Sequence, residues 1–135
     1  MEQIRQKAVD MLGRCPVVML ASVDEEGYPR PVVMAKLKAE NMNVIWMATG
    51  TNSEKTGHFR NNPKAGVCYT ENGDMVALTG RVEVISDLEV RRALWQDWML
   101  EHFPGGVEDP EYCVLKFTAE KATYYIANEF VKEKL

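Results

Sequence analysis

Apolar residues recur at helical spacing near the start of the chain, at Ile4, Ala8, Met11 and Leu12, and Gly13 stands where a helix would be capped. This predicts a short amphipathic helix over residues 2–12. The pattern then changes to short apolar runs separated by turn residues. Residues 17–23 and 31–37 flank Asp24-Glu25-Glu26-Gly27 and predict a β-hairpin. On its second strand Arg30, Val32, Met34 and Lys36 fall on one face, and Pro31, Val33, Ala35 and Leu37 on the other. Arg30 and Lys36 are then roughly 20 Å apart, so a ligand touching both must be long. Two charges at the solvated ends of a strand account for the spacing equally well. Pro31 argues against a fully paired central position and suits a backbone that faces a ligand.

Residues 43–48 read as a third strand, ending in the loop Gly50-Thr51-Asn52-Ser53. Ser53 is placed to cap a small helix running to about Phe59, and Asn61-Asn62-Pro63 ends it. Strands follow over 65–70 and 75–85 with a turn at Glu71-Asn72-Gly73-Asp74, and Gly80 marks a bulge or bend in the longer one. Ser86-Asp87-Leu88-Glu89 has the form of a capping box, with Ser86 accepting, and starts a helix through about His102. Its apolar content is Leu88, Leu94, Trp95, Trp98 and Met99, and Trp95 and Trp98 share one face. Such a stripe serves a core, a dimer seam or a flat aromatic ligand. Residues 103–110 cannot continue a helix. Residues 113–119 and 122–127 read as two final strands or one bent pair, and 128–135 as a short helix or tail.

The count is six or seven mostly sequential strands with two principal helices. It predicts a mainly β fold, a small closed or split β-barrel with flanking helices, in a single domain over 1–135. A chain of 135 residues with 46% hydrophobic and 27% charged residues suits such a soluble domain. A net charge of −4 without a basic stripe argues against nucleic acid as the partner. Cys15, Cys68 and Cys113 are odd in number and lack a CxxC pair, so reduced thiols in the cytoplasm are expected rather than a disulfide framework. His58 and His102 are too few and too separated to imply a metal. Neither a signal segment nor a membrane-spanning run is present in the sequence.

The candidate chemistry lies in the stretch from Trp46 to Lys64. A strand runs into a hydroxyl-rich turn that opens a helix, which gathers free backbone N–H groups and the positive end of a dipole beside Thr49, Ser53 and Lys55. Lysine there would act as a flexible point charge toward a phosphate. Read from local sequence alone, a simple cap at Ser53 and a solvated surface charge at Lys55 are the favoured reading, because caps and surface lysines are common.

The run Gly27-x-Pro29-Arg30-Pro31-Val32-Val33, then Trp46-Met-Ala-Thr49, Ser53-Glu54-Lys55 and Asn62-Pro63-Lys64-Ala65-Gly66-Val67, resembles the pyridoxamine 5'-phosphate oxidase-like, FMN-binding split-barrel superfamily. Gly80-Arg-Val-Glu-Val, Ala93-Leu-Trp95 and the segment from Phe103 to Pro110 resemble its general stress protein branch. The resemblance implies a homodimer with FMN at the subunit interface. It implies that Arg30, Pro31, Val32, Val33 and Met34 run alongside the flavin, that Ala48 and Thr49 meet its ribityl and phosphate region, and that Ser53 and Lys55 bind the phosphate. Trp95, Trp98 and Phe103 would belong to the interface near the partner's flavin. The flavin-contacting glutamine of the oxidase is Met75 here, and the oxidase's C-terminal tryptophan and arginine cluster has no counterpart, so pyridoxine phosphate oxidation is not expected. An oxidoreductase acting on an unidentified small molecule is the leading expectation, with no metal and no assigned catalytic side chain. The alternatives are a flavin binder without turnover and a barrel of the same fold that takes deazaflavin or haem. Haem is disfavoured because neither histidine falls on a pocket strand.

Overall fold

A computed structural model describes residues 1–135. The elements run α1 (Glu2–Arg14), β1 (Val17–Val23), β2 (Pro29–Glu40), β3 (Val44–Gly50), α2 (Glu54–Asn61), β4 (Lys64–Glu71), β5 (Asp74–Ile85), α3 (Leu88–Leu94), β6 (Tyr112–Ile126) and β7 (Glu129–Lys134). The sheet order is β3-β2-β1-β4-β5-β6-β7, and β3 also pairs with β6. Six antiparallel strands therefore close into a barrel, and β7 extends the far half of β6. β6 is one long strand whose first half lies between β3 and β5 and whose second half lies between β5 and β7.

Closure buries one face of each strand. Leu20, Ile45, Met47, Val67, Val76, Leu78, Leu115 and Phe117 fill the interior, and α1 covers one end with Ile4, Ala8, Met11 and Leu12. The Lys36 ammonium donates to the Leu12 carbonyl at that end, and burial lowers its pKa. Lys36 thus tethers α1 to the barrel and is not a partner of Arg30 in holding a ligand. Gly80 sits at a register shift between β5 and β6, where an added Cβ would lie 2.0 Å from the Thr118 carbonyl oxygen. Only glycine lets the two backbones approach this closely.

Several elements differ from the sequence reading. α1 runs through Gly13 and ends at a cap on Cys15. The 128–135 tail is strand β7, turned back on β6 through Ala127 and Asn128 with φ of 52° and 66°. The helix expected over 86–102 is broken. Asp87 rather than Ser86 accepts from Val90 N–H, and Glu89 pairs with Arg92 at 2.9 Å rather than reaching back. α3 stops at Leu94, Trp95 and Gln96 are extended, and a 3₁₀ turn takes Asp97–Glu101. Trp95 and Trp98 therefore do not share a helical face. Trp95 packs edge-on to Tyr112 at 5.5 Å in a second, smaller core of Met99, Phe103, Tyr112 and Val114, which joins the segment from α3 to β6 to the barrel wall. Arg91 staples this segment, its guanidinium donating to the carbonyls of Ser86, Val107, Asp109 and Tyr112. No helix is long and apolar enough to cross a membrane.

Candidate functional site

The barrel has a split between β2 and β3. The two strands pair from Glu40 opposite Val44 to Lys36 opposite Met47 and part beyond that point. Below the fork, residues 29–35 of β2 pair on one side with β1 and have no sheet partner on the other. Pro31 sits in this half-paired stretch opposite Ala21, where a missing N–H costs nothing on the open edge. Ala48, Thr49 and Gly50 continue along β6.

Between the parted strands lies a cavity of about 410 Å³. β2 contributes Val33, Met34 and Ala35, and β3 contributes Ala48, Thr49 and Gly50. Lys55 enters from α2, and Trp98, His102 and Phe103 enter from the segment after α3. The small turn 50–53 exists because its hydroxyls satisfy one another. Ser53 Oγ lies 3.3 Å from Thr49 Oγ1 and 2.7 Å from Thr56 Oγ1, and Thr56 donates on to the Gly50 carbonyl at 2.7 Å. Ser53 also accepts from Thr56 N–H as the cap of α2. The first-turn N–H groups of Glu54 and Lys55 have no intrahelical acceptor. Lys55 is half-buried and takes part in none of the six ion pairs of the chain. An unpaired cation, a hydroxyl chain and a helix start thus meet at a cavity whose other walls are aliphatic and aromatic.

Of the residues singled out from sequence, Val33, Met34, Ala48, Thr49, Lys55, Trp98 and Phe103 line this cavity together, with Ser53 hydrogen-bonded behind Thr49. The others lie elsewhere. Arg30 turns toward a polar groove, with its guanidinium 3.5 Å from Asp24 and 3.7 Å from Glu54. Pro31 is exposed and Val32 packs against the barrel core, because alternation along β2 sends Val32 and Met34 inward. Trp95 belongs to the second core. Three lining residues, Ala35, Gly50 and His102, were missed, Gly50 being simply the next residue along β3 after Thr49. Ala35 follows from the same alternation that selects Val33. His102 reaches the cavity only because the chain breaks at Trp95 and Gln96, which no local signal announces. His58 is buried beside the β1 strand, with Nδ1 2.8 Å from Ser22 Oγ.

A larger hollow of about 500 Å³ lies beside α1. Its walls are mostly charged and amide groups around the Arg5–Glu133 pair, at 2.7 Å, with Val9 and Leu135 as the two apolar side chains. No group of three or more His, Cys, Asp or Glu side chains is arranged to hold a metal.

A closed six-strand antiparallel barrel, opened by a β2–β3 cleft and extended by a seventh strand, has the architecture of the FMN-binding split barrels. The sequence and the fold agree on a narrower placement. The chain belongs to the pyridoxamine 5'-phosphate oxidase like family, whose model it matches over residues 3–133. It is similar to a Clostridium acetobutylicum protein related to general stress protein 26, of the pyridoxinephosphate oxidase family. That likeness is at 26% identity with a TM-score of 0.90, covering 100% of this chain and 96% of that one. It is also similar in fold to a pyridoxamine 5'-phosphate oxidase-related, FMN binding protein from Nostoc punctiforme, at 16% identity and a TM-score of 0.70, covering 97% and 92% of the two chains. A heme binding protein from Mycobacterium smegmatis shares the fold at 14% identity and a TM-score of 0.77, covering 97% of this chain and 57% of that one. No curated protein matches the chain in sequence.

Proposed function

We propose that this protein binds FMN in the β2–β3 cleft and acts as a homodimeric, cytoplasmic oxidoreductase on a small molecule. The observation that carries the reading is Lys55, an unpaired half-buried cation beside the Thr49–Ser53 hydroxyls at a cleft with otherwise apolar walls. The residues present fit the cofactor. A phosphate finds charge, hydroxyl and helix N–H groups, and a planar ring finds Val33, Ala35, Trp98 and Phe103 with the open backbone edge of β2. When bound, the flavin supplies hydride or electron transfer. The chain's residues bind and orient it, and the aromatic wall keeps water from its ring. His102 is the one imidazole lining the cleft.

The dimer reading rests on the outer face of the same strands. Val17, Met19 and Val33 are 49%, 40% and 62% exposed, and Met19 stands opposite Val33 on one side and Cys68 on the other. This apolar strip runs into the cleft at Val33, so a second copy seated on it would wall the cofactor site. The three thiols are all unpaired, which suits a reducing compartment.

The test is the visible spectrum of the purified protein before and after addition of FMN, with heat-released cofactor identified by mass. Stoichiometric flavin bands, bleached by a reduced nicotinamide and restored by an acceptor, support the oxidoreductase. Flavin bands that no reductant bleaches point to a binder without turnover. His102 in the cavity gives haem a specific foothold as a second reading, and a Soret band in place of flavin bands would establish it. Absence of both chromophores, with no thermal stabilisation by either, would sink the proposal.

A further inference from the structure

The rim of the cleft carries an aromatic side chain that is exposed and yet fixed. Trp98 is 45% exposed, and its indole N–H donates to Gln96 Oε1 at 2.7 Å. Gln96 is anchored in turn, its Nε2 donating to the Leu37 carbonyl at 3.3 Å. That carbonyl is available because Leu37 is the extra residue of a bulge, between the pairs Lys36 opposite Met47 and Lys38 opposite Trp46. A register irregularity in the barrel wall, an amide and an indole thus form one hydrogen-bonded chain leading to the cavity.

Packing alone does not explain this ordering, since almost half of the Trp98 surface stays uncovered and water would satisfy the indole N–H of a free rotamer. His102 stands perpendicular to Trp98, with ring centroids 6.0 Å apart and planes at 85°. The two rings make a corner that a flat molecule can enter, stacking on one ring and meeting the other edge-on.

We propose that Trp98 is a fixed stacking platform for a planar conjugated ring in the cleft, and that Gln96 is the residue that positions it. The inference rests on the flavin reading above and goes beyond it by assigning what holds Trp98 in place and which ring stacks on it. The ring is either that of FMN itself or that of the nicotinamide that reduces it, and the two are separable by experiment.

FMN titrations of the wild type and of Trp98→Leu, Gln96→Ala and Gln96→Glu are followed by flavin fluorescence and by long-wavelength absorbance, where an indole stacked on oxidised flavin gives a charge-transfer shoulder. With the flavin ring on the platform, Trp98→Leu weakens FMN binding about tenfold and abolishes the shoulder. Gln96→Ala weakens binding severalfold without moving the thermal midpoint of the apoprotein, and Gln96→Glu, which keeps an acceptor for the indole N–H but cannot donate to the Leu37 carbonyl, weakens it to a similar extent. With the nicotinamide ring on the platform, FMN binding is unchanged, and the reduced nicotinamide concentration that half-saturates flavin bleaching rises in the same order of variants. FMN binding and bleaching that are both unaltered in Trp98→Leu and Gln96→Ala overturn the platform and leave the flavin site standing. A wild type that does not bind FMN overturns both.

Discussion

Replacing Lys55 by methionine keeps the apolar stem of the side chain and removes the ammonium group, with its charge and its donors, so it asks one question of the cleft. Two unit charges about 4 Å apart attract by about 4 kcal/mol at an effective dielectric of about 20, before the cost of desolvating either is counted. Hydrogen bonds to charged groups retain about 1.5–3 kcal/mol of that. Lys55 is half-buried and engages no carboxylate, so removing it breaks no competing ion pair and exposes no buried anion. The expected loss is about 2 kcal/mol, or about thirtyfold in Kd for FMN. Riboflavin has the same ring without the phosphate, and its Kd should change less than about twofold. Fluorescence titration of both ligands against both proteins gives the comparison directly. Salt provides a check, since added salt should weaken FMN binding to the wild type more than to the variant. Equal losses for FMN and riboflavin would mean that Lys55 shapes the cavity rather than holding the phosphate. An unchanged FMN affinity would refute the site altogether.

Other positions test the fold that presents the cleft. Gly80→Ala puts a Cβ 2.0 Å from the Thr118 carbonyl oxygen and 2.9 Å from Ala119 Cα, both backbone atoms that cannot swing aside. Overpacking and lost ladder bonds should together cost about 3 kcal/mol in urea titration, and a loss under about 1 kcal/mol would contradict the close approach. Ala127→Gly relieves a left-handed backbone at φ 52° and should stabilise by about 1 kcal/mol, read as a raised thermal midpoint; a lowered midpoint refutes it. Asp109 accepts from Glu111 N–H and Gly105 N–H, each at 2.9 Å, and these bonds hold its carboxyl below the usual range. Because its folded pKa is the lower one, the stability it contributes is present above the ordinary carboxylate pKa of about 4 and is lost as pH falls through the folded value. Between neutral pH and about pH 3, the urea midpoint of Asp109→Asn should therefore fall less than that of the wild type, and equal falls would contradict the assignment.

The first five strands and α2 are legible because their signals are local. Gly27 and Asn72-Gly73 adopt positive φ at the turns they mark, Ser53 caps α2 through its own hydroxyl, and Gly80 falls at the register shift expected of it. β7 escapes the same reading. Its turn is Ala127-Asn128 rather than a glycine pair, and Glu129–Lys134 is a charged edge strand without the alternating apolar face that betrays a strand. The 86–102 helix fails for a tertiary reason. No proline or glycine interrupts it, and the break at Trp95 lets that ring pack on Tyr112, which no helical periodicity records. The cleft shows the same division. Lys55, Thr49 and Ser53 follow from one short motif, whereas Trp98 and His102 arrive through that break, and Arg30 is drawn off by Asp24 and Glu54.

The seam that closes the barrel joins Val44–Gly50 to the first half of β6, two segments far apart in the chain. Until it forms, β3 is held on one side alone, by a few residues of β2, and Thr49 has no fixed position opposite Val33. Nonlocal pairings of this kind are slow to form, since the chain entropy of a long loop must be lost before any contact offsets it. During synthesis the hairpins β1–β2 and β4–β5 can assemble as they emerge, but the Thr49 end of the cleft cannot exist before Tyr112–Thr118 is available to pair. FMN, bound in the cleft as proposed, should therefore leave the early hairpin phase of refolding unchanged and act only on the final closing step, by slowing its reversal.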